Sequence, residues 1–171
     1  MRRLLPSLLS ILLLAAPAGA QQASPRSAVP RAQAQAALIY PLTVITKGDM
    51  DFGAIAVAGA GTAIIDPGTN ALTVTGGVSR LGGSPRAATF LGASRSAAVV
   101  ILKVPNQPIT LTRIGGNETM QVRDFTLQGL DKRTLARLES FEFNVGATLI
   151  VTAGQVEGIY TGTFDVEVQY P

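Results

Sequence analysis

Apolar residues recur at every second position along much of this chain, the spacing of strands with one buried face. The clearest case is the C-terminus. Tyr160, Gly162, Phe164, Val166, Val168 and Tyr170 face one way, and Thr161, Thr163, Asp165, Glu167 and Gln169 the other. This predicts one long, half-buried strand. A second run places Ala32, Ala34, Ala36, Leu38, Tyr40, Leu42 and Val44 on one face, with Gln33 and Gln35 opposite. Pro41 lacks a backbone donor, so this strand lies at an edge or breaks in two.

Between these runs, short apolar stretches alternate with turn residues. Lys47 to Gly53 reads as a turn leading into an apolar stretch through Val57. Thr62 to Ile65 is a strand stopped by Asp66-Pro67-Gly68, and Ala71 to Thr75 another, ended by Gly76-Gly77. Gly82 to Pro85 turns the chain into a strand over Ala87 to Leu91. Ala97 to Leu102 is apolar without alternation, as expected at the centre of a core. Ile109 to Arg113 and Met120 to Leu127 flank Gly115-Gly116-Asn117, a hairpin signal. Gln128 to Ser140, with Leu130, Leu135 and Leu138 among charges, reads as a loop with at most one or two helical turns. Phe141 to Val151 returns to strand. The total is about nine or ten strands at close spacing, which predicts a two-sheet β-sandwich, with a closed barrel as the alternative.

The first twenty residues break this texture. Arg2 and Arg3 precede an apolar run from Leu4 to Leu14, and Ala18-Gly19-Ala20 supplies small residues before a cleavage point between Ala20 and Gln21. The apolar run is shorter than the roughly 20 residues that span a bilayer, and no second run of spanning length follows. The expectation is a signal peptide over residues 1–20, a polar Ala/Ser/Pro-rich leader over 21–35 and a β-sandwich domain over 36–171. Such a chain is exported to the periplasm, the cell surface or the extracellular space.

Export changes the charge picture. The full chain has 14 basic and 11 acidic residues, a net charge of +3. Two of those basic residues leave with the signal, and the rest are scattered, so nucleic acid is not the expected partner. Candidate chemistry is sparse too. There is no histidine and no cysteine, which removes imidazole and thiolate nucleophiles, thiolate zinc sites and disulfides. Asp49 and Asp51 are too few ligands for a calcium loop and read as a strand-entry turn beside Lys47. Glu139 with Glu142, or Asp165 with Glu167, could suggest a glycosidase pair, but the latter two share the face opposite the apolar one. No motif ties Lys47, Lys103 or Lys132 to a serine. Gly59-Ala60-Gly61 lacks the third glycine and the helix of a dinucleotide loop, so these glycines read as turn and bulge residues. No catalytic residue, cofactor or metal is expected.

The order of features resembles a known family. Pro41 to Thr46, Asp51-Phe52-Gly53, Val74 to Val78, Asn144 to Leu149 and Gly158 to Phe164 are similar to segments of the bacterial domain-of-unknown-function 4402 family (DUF4402). More distantly the chain resembles spore-coat-U and chaperone–usher pilin-like subunits, although the cysteine pair typical of the spore-coat-U relatives is absent. The resemblance implies an immunoglobulin-like, pilin-like sandwich, and its motifs are structural rather than catalytic.

Two functions follow as expectations. One is a structural subunit of fimbrial or cell-surface type, in which Ala32 to Val44 of one molecule adds as a strand to the next, anchored by Leu38, Tyr40 and Leu42. Its partners are further copies or other pilin-like subunits, and a periplasmic chaperone. Equally, that strand can complete its own sandwich. The other function is a periplasmic or secreted binding module that recognises a glycan or protein through the Gln128 to Ser140 loop.

Overall fold

A computed structural model describes residues 42–171. All of their regular structure is β, in eleven strands. They are β1 (Thr43–Gly48), β2 (Ala54–Ile65), β3 (Leu72–Gly82), β4 (Ala88–Ala93), β5 (Ala98–Lys103) and β6 (Ile109–Arg113). Then come β7 (Thr119–Leu127), β8 (Lys132–Leu135), β9 (Ser140–Val151), β10 (Tyr160–Thr161) and β11 (Glu167–Gln169). Every pairing is antiparallel. An eight-stranded sheet runs β1-β4-β9-β7-β6-β10, with the β2–β3 hairpin joined to β9, and a three-stranded sheet runs β11-β5-β8. The expected two-sheet arrangement is present, but the large sheet is curled into a half-barrel.

The centre of the large sheet is β9, buried at Phe141, Phe143, Val145 to Ala147, Leu149 and Val151. One edge of β9 carries β7. The other carries β4 over Ser140–Val145 and then β2 over Thr148–Val151. Gly146 marks the handover. A Cβ there would lie 2.2 Å from the Ile65 carbonyl oxygen and 2.8 Å from the Pro67 ring. Only glycine lets β2 leave across β9 at this point.

Curling originates in the β2–β3 hairpin. Pairing is regular from Gly61 opposite Gly76 outward, and resumes at Val57 opposite Val78. Between these, Ala58, Gly59 and Ala60 stand against Gly77 alone, a bulge that bends the hairpin. The backbones nearly touch there, because a Cβ on Gly77 would fall 2.5 Å from the Gly59 Cα. Thus Gly76-Gly77 does not end a strand as the sequence suggested: it is the kink within β3. A smaller bulge sits in β7, where Asp124 has φ of 51° and the pairing slips between Arg123 and Thr126. It absorbs a change of phase in the sequence, from Met120 and Val122 to Phe125 and Leu127.

Three other expectations change. β1 continues through Gly48, so the turn before β2 is shorter than the sequence suggested. The Gln128 to Ser140 stretch contains no helical turn. Its Lys132–Leu135 portion is a strand of the small sheet, with Leu135 buried opposite Ala98. Finally, the long C-terminal strand is two short ones. β10 pairs with β6 in the large sheet and β11 with β5 in the small one. The intervening residues 162–166 belong to no strand.

Two apolar clusters hold the domain together. Between the sheets, Ala88, Phe90, Phe141, Phe143 and Val145 meet Val100, Leu102 and Leu135. Phe143 is fully buried, stacked on Phe90 at 5.3 Å and on Phe141 at 5.9 Å between ring centroids. Inside the curl, Ala63, Val78, Met120, Val122, Ala147, Leu149 and Val151 form the second cluster.

Candidate docking cleft

The candidate acids do not converge. Among the described residues, no group of three or more acids, histidines or cysteines could hold a metal. Asp51 is structural: its backbone exchanges hydrogen bonds with Arg86 at 2.9 Å, and its Oδ1 accepts from the Gly53 N–H at 2.8 Å. Arg86 Nε donates to the Asp49 carbonyl oxygen at 3.1 Å, which closes the same turn. Lys47 turns away from this pair and forms an ion pair with Glu142 on β9. Glu139 accepts from the Ala136 N–H within its own loop, so Glu139 and Glu142 serve separate contacts. Asp165 and Glu167 are exposed, as their side of the alternation implies.

The expected hairpin at Gly115-Gly116-Asn117 is present, clamped by Arg113 Nε donating to Glu118 Oε2 at 2.7 Å. That bond holds the Glu118 carboxyl below its ordinary pKa and raises that of Arg113. In the β2–β3 turn, the Asp66 carboxylate accepts from the Thr69 N–H and hydroxyl and the Gly68 N–H, which lowers its pKa in the same way.

The inner face of the large sheet forms a concave feature with a different character. The small sheet covers only part of the inner face of the large one, and beside it opens a cleft of about 1080 Å³. Its floor is apolar: Phe90 from β4, Ile109 and Leu111 from β6, Met120 and Val122 from β7, and Leu149 from β9. One wall is the Asp49–Ile55 segment, which brings Met50, Phe52 and Ile55; the other is Glu157–Asp165. Leu81 and Ile159, 74% and 69% exposed, stand at the mouth. Phe164 fixes the second wall by packing on Phe125 at 5.0 Å and Phe90 at 6.2 Å. The latter part of this wall, from Gly162 to Asp165, belongs to no strand and leads into β11, the end strand of the small sheet among the described residues.

A family model described as domain of unknown function (DUF4402) matches residues 42–170, which spans nearly all of the described fold. The chain belongs to the DUF4402 family. No curated protein and no solved structure matches it. In this DUF4402 domain, the sequence-derived anchors divide. Leu42 is half-buried against the domain's own inter-sheet cluster. Leu38 and Tyr40, and the Ala20–Gln21 cleavage point, lie outside the described residues. The cleft itself was not foreseen, because its lining comes from seven separate stretches of chain. Among the described residues, no helix is long and apolar enough to cross a membrane.

Proposed function

We propose that this chain is an exported, non-catalytic structural subunit, pilin-like in architecture, that assembles by β-strand addition. On this reading the domain is an immunoglobulin-like sandwich lacking one strand, and the cleft is where that strand docks. The observation that supports it is the cleft itself: an apolar floor flanked by residues 162–166, which belong to no strand, and by β11, which among the described residues is the end strand of the small sheet. An added strand would supply backbone partners at that edge and alternate apolar side chains to the floor. Its partners would be further copies or other pilin-like subunits, with a periplasmic chaperone shielding the cleft before assembly, at the cell surface or beyond.

The alternation of residues 32–40 makes Leu38 and Tyr40 the anchors of the donor strand, with Leu42 as the point where the chain joins its own domain. Residues 21–171, purified and followed by sedimentation velocity and electron microscopy, test this. Leu38→Asp with Tyr40→Asp should abolish assembly and leave the circular dichroism spectrum of the domain intact. Assembly unaffected by both substitutions would refute the reading.

A binding module remains the second reading, favoured by Leu130 and Leu138, which are 75% and 70% exposed beside β8. Exposed leucines without an aromatic platform suit a protein partner better than a sugar.

A further inference from the structure

The rim of the cleft carries one sign of charge. Asp49, Asp51, Glu157 and Asp165 line it, and among the described residues no lysine or arginine does, although Lys103 lines an adjoining hollow that shares Asp165. Arg86 offsets part of this charge, with its guanidinium 3.8 Å from the Asp51 carboxylate. Residues 21–41 are the converse: they hold Arg26 and Arg31 and no acid. Cleavage after Ala20 would add an α-amino group to that segment. Arg31 sits immediately before the alternating run that begins at Ala32, so a strand laid in the cleft brings it to one end of the apolar floor.

The position of β1 bears on whose leader this is. Thr43 pairs with Ala93 at one end of β1, where Leu42 and Val44 pack between the sheets. The cleft opens at the other end, where Thr46 pairs with Phe90 and Asp49 follows. Six residues of strand separate the two ends, about 20 Å. A leader bound for its own cleft must reverse direction at once and run back along β1. One bound for a neighbour need only continue outward.

Resting on the strand-addition reading, we infer that the occupant of the cleft is the leader of a second copy of this chain. Leu38 and Tyr40 seat on the apolar floor, and Arg26 and Arg31 face the acidic rim. The rim therefore selects a basic donor, and assembly is driven jointly by apolar burial and by opposite charge.

The test is self-association of residues 21–171, measured by sedimentation velocity at low and high salt. Arg26→Glu with Arg31→Glu should weaken association about tenfold at low salt, as should Asp49→Lys with Asp165→Lys. Combining the two sets should restore it, and high salt should weaken the parent chain. Asp49 and Asp165 are exposed, so both sets leave the fold intact, checked by circular dichroism. If neither reversal changes association while Leu38→Asp with Tyr40→Asp abolishes it, strand addition stands and the charge-selected donor is wrong. If all three sets leave association unchanged, both fall. If the parent chain stays monomeric at every concentration and Leu38→Asp lowers its melting temperature, the leader fills its own cleft and the second copy is excluded.

Discussion

Arg133 offers the sharpest test of the fold, because it lies in the stretch whose charges concealed a strand. Its guanidinium fans out over three carbonyl oxygens: Nη2 to Gln128 at 2.8 Å, Nη1 to Glu142 at 3.0 Å and Nε to Leu130 at 3.3 Å. It also sits over the Phe141 and Phe143 rings, 6.0 and 5.8 Å from their centroids. None of these partners is a carboxylate, and burial lowers the Arg133 pKa, though an arginine stays charged throughout the working range. Water can replace the arginine at the three carbonyls, so each bond is worth about 0.5 kcal/mol, the low end for neutral bonds and less than a charged donor usually gives. The rings add about 0.5 kcal/mol at this range. Arg133→Met, which keeps the aliphatic stem, should therefore cost about 2 kcal/mol, or about 6 °C in melting temperature for a domain of this size. Arg133→Lys keeps the charge but cannot reach three carbonyls in three directions, and should cost about 1 kcal/mol. Urea denaturation of residues 21–171 measures both. A lysine variant as stable as the parent would show that charge alone suffices. A methionine variant as stable as the parent would show that the clamp contributes nothing.

Other predictions follow from the same structure. Gly77→Ala places a methyl group 2.5 Å from the Gly59 backbone, so it should destabilise by about 3 kcal/mol in urea denaturation or prevent folding. Phe143→Ala empties the centre of the inter-sheet cluster and should cost about 3–5 kcal/mol in the same assay. The depressed pKa values of Asp66 and Glu118 mean that the unfolded chain binds protons more readily at these sites. Their contribution is present above the ordinary carboxyl range and is lost as pH falls through the folded values. Thermal melts should therefore lose stability below about pH 4, and Asp66→Asn with Glu118→Gln should flatten that slope.

The sequence carried some of these elements openly and hid others for physical reasons. The β6–β7 hairpin was legible because alternation and a glycine-rich turn agree there. At the C-terminus, alternation correctly placed Phe164, Val166, Val168 and Tyr170 against the core. It could not show that the chain changes sheets, because side-chain period reports which face is buried and not which strand is the neighbour. β8 was hidden because it has only one fully buried side chain, Leu135, and because Arg133 sets its guanidinium over aromatic rings, so an inward position carries a charged residue. Gly76-Gly77 resembled a turn because a kink within a strand needs the same residue. The cleft was least legible of all: Met50, Leu81, Leu111, Met120 and Phe164 meet only once the large sheet has curled.

Whether the cleft receives a strand from another molecule can be read directly by photo-cross-linking. Tyr40 is replaced by a benzophenone-bearing phenylalanine, a conservative aromatic change, in chains grown with light or heavy nitrogen and mixed before assembly. Mixed-isotope cross-links are expected by mass spectrometry, joining position 40 of one chain to Met50, Phe52, Leu111 or Phe164 of another. Cross-links confined within single chains, or leading to residues away from the cleft, would contradict it.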